Sequence, residues 1–293
     1  MKIDLHIHSK DGSDGKWPLE DIFAEASRRG IEFMSITDHD AIHCQGKAAE
    51  LARRYGIAYL PGVELNVNFS HPGYKEGKGV SLDFLGYGYD IHDQALGEKL
   101  LTIRAFREKR AKQILENLNR EFQKKGRKPF TDRDMEKIEA SVDGSFGRPH
   151  IADYMIRKGI VQNKREAFQK YLVKCDVPKL PLRLEEASAL IRGAGGRLVI
   201  AHPNDPNGTS LVSLATSIAE QHTIIRDTML PYLDGVECWH SRHSQHAIEA
   251  YRAFAKEEEL IVTGGSDCHQ QPVIMGTMEI PDYVAGQFHG LKD

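Results

Sequence analysis

The chain has 293 residues, 40% of them hydrophobic and 28% charged, which fits a soluble globular protein with one large α/β domain carrying a smaller insertion. A formal net charge of -3 argues against bulk affinity for a nucleic-acid backbone, and no stretch has the apolar length of a membrane span. Met1 leads straight into a strand-like segment with no signal peptide, and Cys44, Cys175, Cys238 and Cys268 are scattered without a CxxC pair, so a cytoplasmic protein with reduced thiols is expected.

The first strand sets the pattern. Ile3, Leu5 and Ile7 alternate with Asp4, His6 and His8, so one face is apolar and the other carries a carboxylate and two imidazoles. A core has little use for such a face unless its polar groups are paired, whereas a metal ion uses it directly. Ser13-Asp14-Gly15 forms the turn that follows. Pro18 opens a helix with Ile22, Phe23 and Ala26 on one side, and Gly30 closes it. A second strand, 31–37, ends in Asp38-His39-Asp40. Residues 48–55 read as a helix stopped by Gly56, 57–63 as a strand ending at Glu64, and 80–87 as a strand containing Asp83. This order is the grammar of a mostly parallel sheet or barrel, in which active sites are built at the C-terminal ends of strands.

From residue 95 the pattern changes. A long charged helical stretch covers 95–125, followed by helical segments at 132–140, 149–158 and 164–173, and we read 95–178 as an all-helical insertion. Residues 1–94 and 179–293 then form the main domain. Within it a helix at 184–194 precedes a strand at 197–201 ending in His202, and 211–222 reads as helical. A strand at 235–239 ends near His240, a helix covers 247–258, and a strand at 260–263 opens into Gly264-Gly265-Ser266-Asp267-Cys268-His269.

Gathered by strand, the metal-competent residues are His6, His8, Asp14, His39, Glu64, Asp83, His202, Asp267 and His269. Nitrogen and oxygen donors without cysteine suit first-row divalent ions and speak against a structural zinc knot. Nine donors exceed one ion, so a two- or three-metal cluster bridged by Glu64 is expected, of the kind that activates water against phosphate esters. For an isolated HxH pair, hydrogen-bonded histidines are the ordinary reading; the repetition of such clusters along the chain reverses it.

In order, DLHIHS, SDG, ITDHD, PGVEL, FLGYG, VIAHP, the GVE strand and GGSDCH resemble the PHP (polymerase and histidinol phosphatase) phosphoesterases over the whole chain. The resemblance implies an α/β fold, a distorted (β/α)7 TIM-like barrel with the helical insertion, and a metal cluster of manganese, iron or zinc at its mouth. It places one ion on His6, His8, Glu64 and Asp267, a second on Glu64, Asp83 and His202, and a third on Asp14, His39 and His269. Asp83 stands where the family usually has histidine, and a carboxylate there favours manganese or iron over zinc.

Gly147-Arg148-Pro149-His150 resembles the GRPH helix start of family members acting on AMP or 3′,5′-nucleoside bisphosphates. Arg148 and His150 are therefore expected to bind a substrate phosphate, Arg148 from a helix start where its guanidinium and free N–H groups both suit an anion. A simple pairing of Arg148 with a carboxylate is the competing reading. Asp267 and His243 are the expected catalytic residues, His243 as proton donor or phosphate ligand, against a hydrogen-bonded supporting role. Cys268 reads as a small filler, and the basic stretch 99–128 as a solvated helix face. The expected activity is removal of phosphate from a small nucleotide-like monoester. The rivals are a 5′-to-3′ exonuclease on short RNA or DNA, for which the basic stretch would be a track, a histidinol-phosphate phosphatase, and a non-catalytic metal- or nucleotide-binding module.

Overall fold

The structure, a computed structural model, describes residues 1–139, 148–178 and 180–288. Gly147 of the GRPH motif, Ala140 at the expected end of its helix, and Lys179 at the expected return to the main domain lie outside the described residues. The chain divides into two compact units, Met1–Lys99 with Pro181–Asp293, and Leu100–Leu180.

The larger unit begins with β1 (Ile3–Ile7), α1 (Leu19–Arg28), β2 (Phe33–Ile36), α2 (Gln45–Tyr55) and β3 (Ala58–Tyr59). α1 buries Leu19, Ile22, Phe23 and Ala26, spaced to form one helical stripe, and carries Glu20 and Asp21 in its first turn, where the helix dipole favours acids. α2 ends on Gly56 in the left-handed conformation at φ 67, which glycine adopts without strain. β1, β2 and β3 form a parallel three-stranded sheet.

The expected strand at 57–63 is two strands. Pro61 separates β3 from β4 (Gly62–Phe69), so Glu64 lies inside a strand that runs on to Phe69. β5 (Val80–Tyr87) pairs antiparallel with β4 and with the later β6, an antiparallel exception within the mostly parallel order expected. The reversal has a simple cause: β4 and β5 follow one another without an intervening crossover helix. Asp83 falls in the N-terminal half of β5.

The helical unit is built on α3 (Gln94–Lys124), α4 (Asp132–Glu139), α5 (Arg148–Arg157) and α6 (Lys164–Ala167), the last continuing into a π-turn over Phe168–Leu172. Ala111, Ile114, Leu115, Leu118 and Phe122 recur at helical spacing along α3 and are buried with Phe130, Ile151, Met155 and Leu172. Phe122 meets Phe130 and Tyr171 edge-on at 5.3 and 5.4 Å. This unit thus has its own apolar core.

The larger unit resumes with α7 (Leu184–Gly193), β6 (Arg197–Ile200), α8 (Ile218–Thr228), β7 (Gly235–His240), α9 (Gln245–Glu257), β8 (Ile261–Gly265) and α10 (Tyr283–Gly286). The expected helix at 211–222 is instead a short 3₁₀ turn at Leu211–Ser213, and α8 starts only at Ile218. Ser210 caps that turn and the Ser213 hydroxyl donates to the Ser210 carbonyl, local bonds that compete with helix continuation. β4 to β8 form a five-stranded sheet in sequence order, parallel from β6 onward. Backbone bonds link this sheet to the first at two places: the His8 amide donates to Cys268 at 3.1 Å, and the Asp40 amide to Glu64 at 2.8 Å. The fold is mixed α/β. No helix among the described residues is long and apolar enough to cross a membrane.

Candidate metal centre

The links between the two sheets fall at the strand ends that carry imidazoles and carboxylates. Glu64 is at the centre of the cluster. Its Oε2 lies 3.5 Å from His6 Nε2, 3.2 Å from His8 Nε2 and 3.1 Å from His39 Nδ1, while Oε1 lies 3.0 Å from His202 Nε2. Asp267 Oδ1 lies 3.2 Å from His8 Nε2 and 3.6 Å from His6 Nε2. Asp14 Oδ1 lies 3.1 Å from His269 Nε2 and 3.9 Å from His39 Nε2. Eight of the nine expected donors therefore converge.

Three groups of potential ligand atoms emerge, with all atoms of a group within 4.8 Å of one another: His6, His8 and Asp267; His6, Glu64 and His202; and His8, Asp14, His39 and His269. These overlap the expected sets, with His6 and His8 each shared between two groups. Asp83 stands outside all three. It is buried on β5 opposite Asn66 and accepts a 2.6 Å hydrogen bond from the Asn66 side-chain amide, although its charge reaches His202.

The donor set fits divalent cations on an observation internal to the fold. His6 Nε2, His8 Nε2 and Glu64 Oε2 are fully buried and make no hydrogen bond. A buried group left without a hydrogen bond costs about 1–3 kcal/mol, and a cation that takes up these converging lone pairs would offset that cost. The backbone also bends to present the donors. His202 and Asp267 hold φ values of 28 and 55, a region that costs side-chain-bearing residues strain and is kept mainly at functional sites.

Electrostatics ties these donors together. Burial alone would raise the pKa of Glu64, but His39 and His6 outweigh it and hold the carboxyl well below its usual range. Asp267 is lowered in the same way, chiefly by His6 and His240 against burial, and Asp14 chiefly by His269. Burial disfavours charge on His8, yet Asp267 and Glu64 raise it to about 10; His202, beside Glu64, rises to about 9. For His39 burial wins, and its pKa falls to about 4.

Around the donors lies a layer of residues that sequence reading did not assign. Glu237 Oε1 lies 2.9 Å from His6 Nδ1, and its Oε2 accepts from the His202 amide at 2.7 Å, so one carboxylate orients both histidines. Asp38 accepts from the Ser9 amide, the Ser9 hydroxyl and the Ser13 hydroxyl at 2.6–2.7 Å and thereby shapes the turn carrying Asp14. The Arg242 guanidinium spans Asp205 Oδ2 at 2.7 Å and Asp267 Oδ2 at 2.6 Å. The signal for Glu237 and Asp38 was present: each is a carboxylate set within or at the end of an apolar strand.

The remaining expected residues are placed differently. Both ring nitrogens of His243 are engaged inside the fold: Nδ1 is 2.9 Å from the Cys238 carbonyl, and Nε2 accepts from the Asn204 amide at 3.3 Å. Burial, followed by His240, lowers its pKa to about 4, and these contacts match the hydrogen-bonded supporting role weighed against proton donation. In the helical unit, Arg148 begins α5 and donates to Asp176 Oδ2 at 2.6 Å, with its guanidinium 5.4 Å from the Phe168 ring centroid. Asp176 also accepts from Arg110. The carboxylate pairing weighed against phosphate binding is therefore present. His150 is half-buried on α5.

Comparison with known proteins places this geometry in context. The model of the PHP domain family matches residues 4–174. A 3′,5′-nucleoside bisphosphate phosphatase of Chromobacterium violaceum is 29% identical over 91% of this chain and 87% of its own length. A 5′-3′ exoribonuclease of Haemophilus influenzae is 29% identical over 92% of this chain and 90% of its own. Among solved structures, a Bifidobacterium adolescentis protein whose assignment as a metal-dependent phosphoesterase is itself inferred superposes with a TM-score of 0.78 at 28% identity, covering 99% of this chain and 96% of that one. With a family model spanning more than half of the chain and similar folds at full length, this protein belongs to the PHP domain family and is a metal-dependent phosphoesterase.

Proposed function

We propose that this chain removes phosphate from monoesters of small nucleotides, of the AMP or 3′,5′-nucleoside bisphosphate type. The observation that carries the reading is the convergence of eight donors around unpaired His6, His8 and Glu64 atoms, in a chain similar over nearly its full length to a bisphosphate phosphatase. Divalent ions, of manganese, iron or zinc, would supply an activated water at neutral pH and neutralise charge on the phosphoryl oxygens. We assign His6, His8, Glu64 and Asp267 to a first ion, Glu64, Asp83 and His202 to a second, and Asp14, His39 and His269 to a third. Glu237 holds His6 and His202 in register, and Asp38 holds the turn bearing Asp14. We read the two sheets as parts of a distorted (β/α)7 barrel, a reading supported by the backbone links between them. The test is metal analysis of purified protein joined to a screen of phosphorylated metabolites, with release of inorganic phosphate from AMP-sized substrates as the supporting result.

Asp83 supplies a prediction. If it completes the second ion, Asp83→Ala should lose about one metal equivalent and keep its far-ultraviolet circular dichroism, while Asp83→His should retain activity with a changed metal preference. Unchanged metal content and kinetics in Asp83→Ala would remove Asp83 from the second ion and leave its hydrogen bond with Asn66 as a structural one.

Substrate recognition is assigned to Arg148 and His150 of the helical unit. Because Arg110 also pairs with Asp176, removing Arg148 leaves no bare carboxylate, and a part-exposed ion pair is worth at most about 1 kcal/mol. Arg148→Ala should therefore barely move the melting temperature, yet lower kcat/KM on a nucleotide monophosphate by roughly ten- to a hundredfold, the value of a charge-assisted bidentate contact. Lysine should restore only part of the loss. Wild-type kcat/KM in Arg148→Ala would confine this residue to its pairing with Asp176.

A second reading has an observation behind it. Residues 100–180 hold 20 lysines and arginines against 11 acidic residues, in a chain whose net charge is -3. Such asymmetry suits a polyanion, and the Haemophilus influenzae relative is an exoribonuclease. Under that reading, turnover requires a 5′-phosphorylated oligonucleotide and falls steeply with salt; under ours, AMP-sized substrates suffice.

A further inference from the structure

The mechanism above gives no role to His240, the last residue of β7. Its ring is fully buried between the rings of His202 and His243, each 5.2 Å away, and 6.2 Å from His6. Nδ1 accepts a 3.2 Å hydrogen bond from the Arg242 amide. A nitrogen that accepts from a backbone N–H carries no proton itself, so in the neutral ring the proton is on Nε2. That nitrogen is buried, makes no hydrogen bond, and faces Asp267 Oδ2 at 3.5 Å.

The two oxygens of Asp267 have different surroundings. Oδ1 faces His8, His6 and His269 at 3.2, 3.6 and 3.5 Å, while Oδ2 receives the Arg242 guanidinium at 2.6 Å and faces His240. We infer that His240 is a positioning residue, which donates its Nε2 proton to Oδ2 of Asp267 and so leaves Oδ1 alone to bind an ion. This rests on the metal-centre reading proposed above. The 3.5 Å separation is long for a hydrogen bond, and it is of the kind that shortens when a site fills and its carboxylate is drawn into place. Two donors on one oxygen also hold the carboxylate against rotation, which is how residues around a metal site commonly raise its affinity. The β7–β8 register supports the arrangement: His240 pairs with Gly265, two residues before Asp267, so the donor and its acceptor come from neighbouring strand ends.

The experiment compares His240→Gln with His240→Phe. The Gln amide nitrogen reaches the position of Nε2 and keeps the donor, whereas Phe keeps the ring and loses it. Each full-length protein is stripped with chelator, and its affinity for Mn²⁺ is measured by competition with a chelating dye, together with the melting temperature of the stripped form. Removing such a neighbour typically costs 10–100-fold in metal affinity. The expected result is a loss of about that size in His240→Phe, recovered to within a few-fold in His240→Gln, with similar melting temperatures for the stripped proteins. Wild-type affinity in His240→Phe would overturn the inference. So would an equal loss in both variants, which would make the role one of packing. If His240→Phe does not fold, His240→Gln decides alone: a folded Gln variant with more than tenfold weaker binding overturns the inference, and near-wild-type binding sustains it. Failure of the wild-type protein to bind Mn²⁺ would instead strike the metal-centre reading itself.

Discussion

Glu64→Ala is expected to yield a folded protein with essentially no phosphoesterase turnover. Among the described residues no other carboxylate faces as many of the proposed imidazole ligands: Oε2 faces His6, His8 and His39, and Oε1 faces His202. Its loss removes a ligand from two of the three proposed ions and the negative charge that offsets three buried imidazoles and the half-buried His39. Charge neutralisation and water activation by metal are together worth several kcal/mol at the transition state, so kcat/KM should fall by roughly a thousandfold or more. Metal content, measured by elemental analysis, should fall with it. Glu64→Gln keeps the shape and loses the charge, and should fail nearly as badly. Retention of kcat/KM within tenfold of wild type in Glu64→Ala, with circular dichroism unchanged, would remove Glu64 from the centre of the site.

The largest effect on stability is expected from a glycine. A Cβ added to Gly265 would lie 2.3 Å from His6 Cβ and 2.4 Å from the His6 amide nitrogen. Neither neighbour is the loose end of a flexible side chain, so β1 and β8 would have to separate. Overpacking of this kind typically costs about 1–3 kcal/mol and here should reach the upper end. For a chain of this size that corresponds to a fall in melting temperature of roughly 6–12 °C. Metal should be lost as well, because the displaced residue is His6. Gly46→Ala in α2 is the control: nothing lies within 4 Å of its added Cβ, and alanine in a helix should be neutral or stabilising by up to about 1 kcal/mol. A Gly265→Ala protein that melts with wild type would show that the two strands can part without cost.

The side chains that converge were legible in the linear chain. His6, His8, His39, Glu64, His202, Asp267 and His269 each interrupt or end an apolar run, and a buried polar group at such a place must have a partner. The helices with strong stripes and clear stops, α1 and α2 among them, were legible for the same reason: periodicity is local, and neighbours in sequence settle it. Partners far apart in the chain were decided only by the tertiary structure. His6 meets Glu237 across 231 positions, and no spacing rule links them. β5 runs antiparallel because β4 turns directly into it, and that reversal sets Asp83 opposite Asn66. His243 looked available to a substrate until the fold supplied Cys238 and Asn204 to its two nitrogens. For Arg148 the sequence left phosphate and carboxylate as rival partners, and only the fold supplied Asp176. A sequence shows which side chains need a partner when buried; which atom answers each one depends on how distant segments pack.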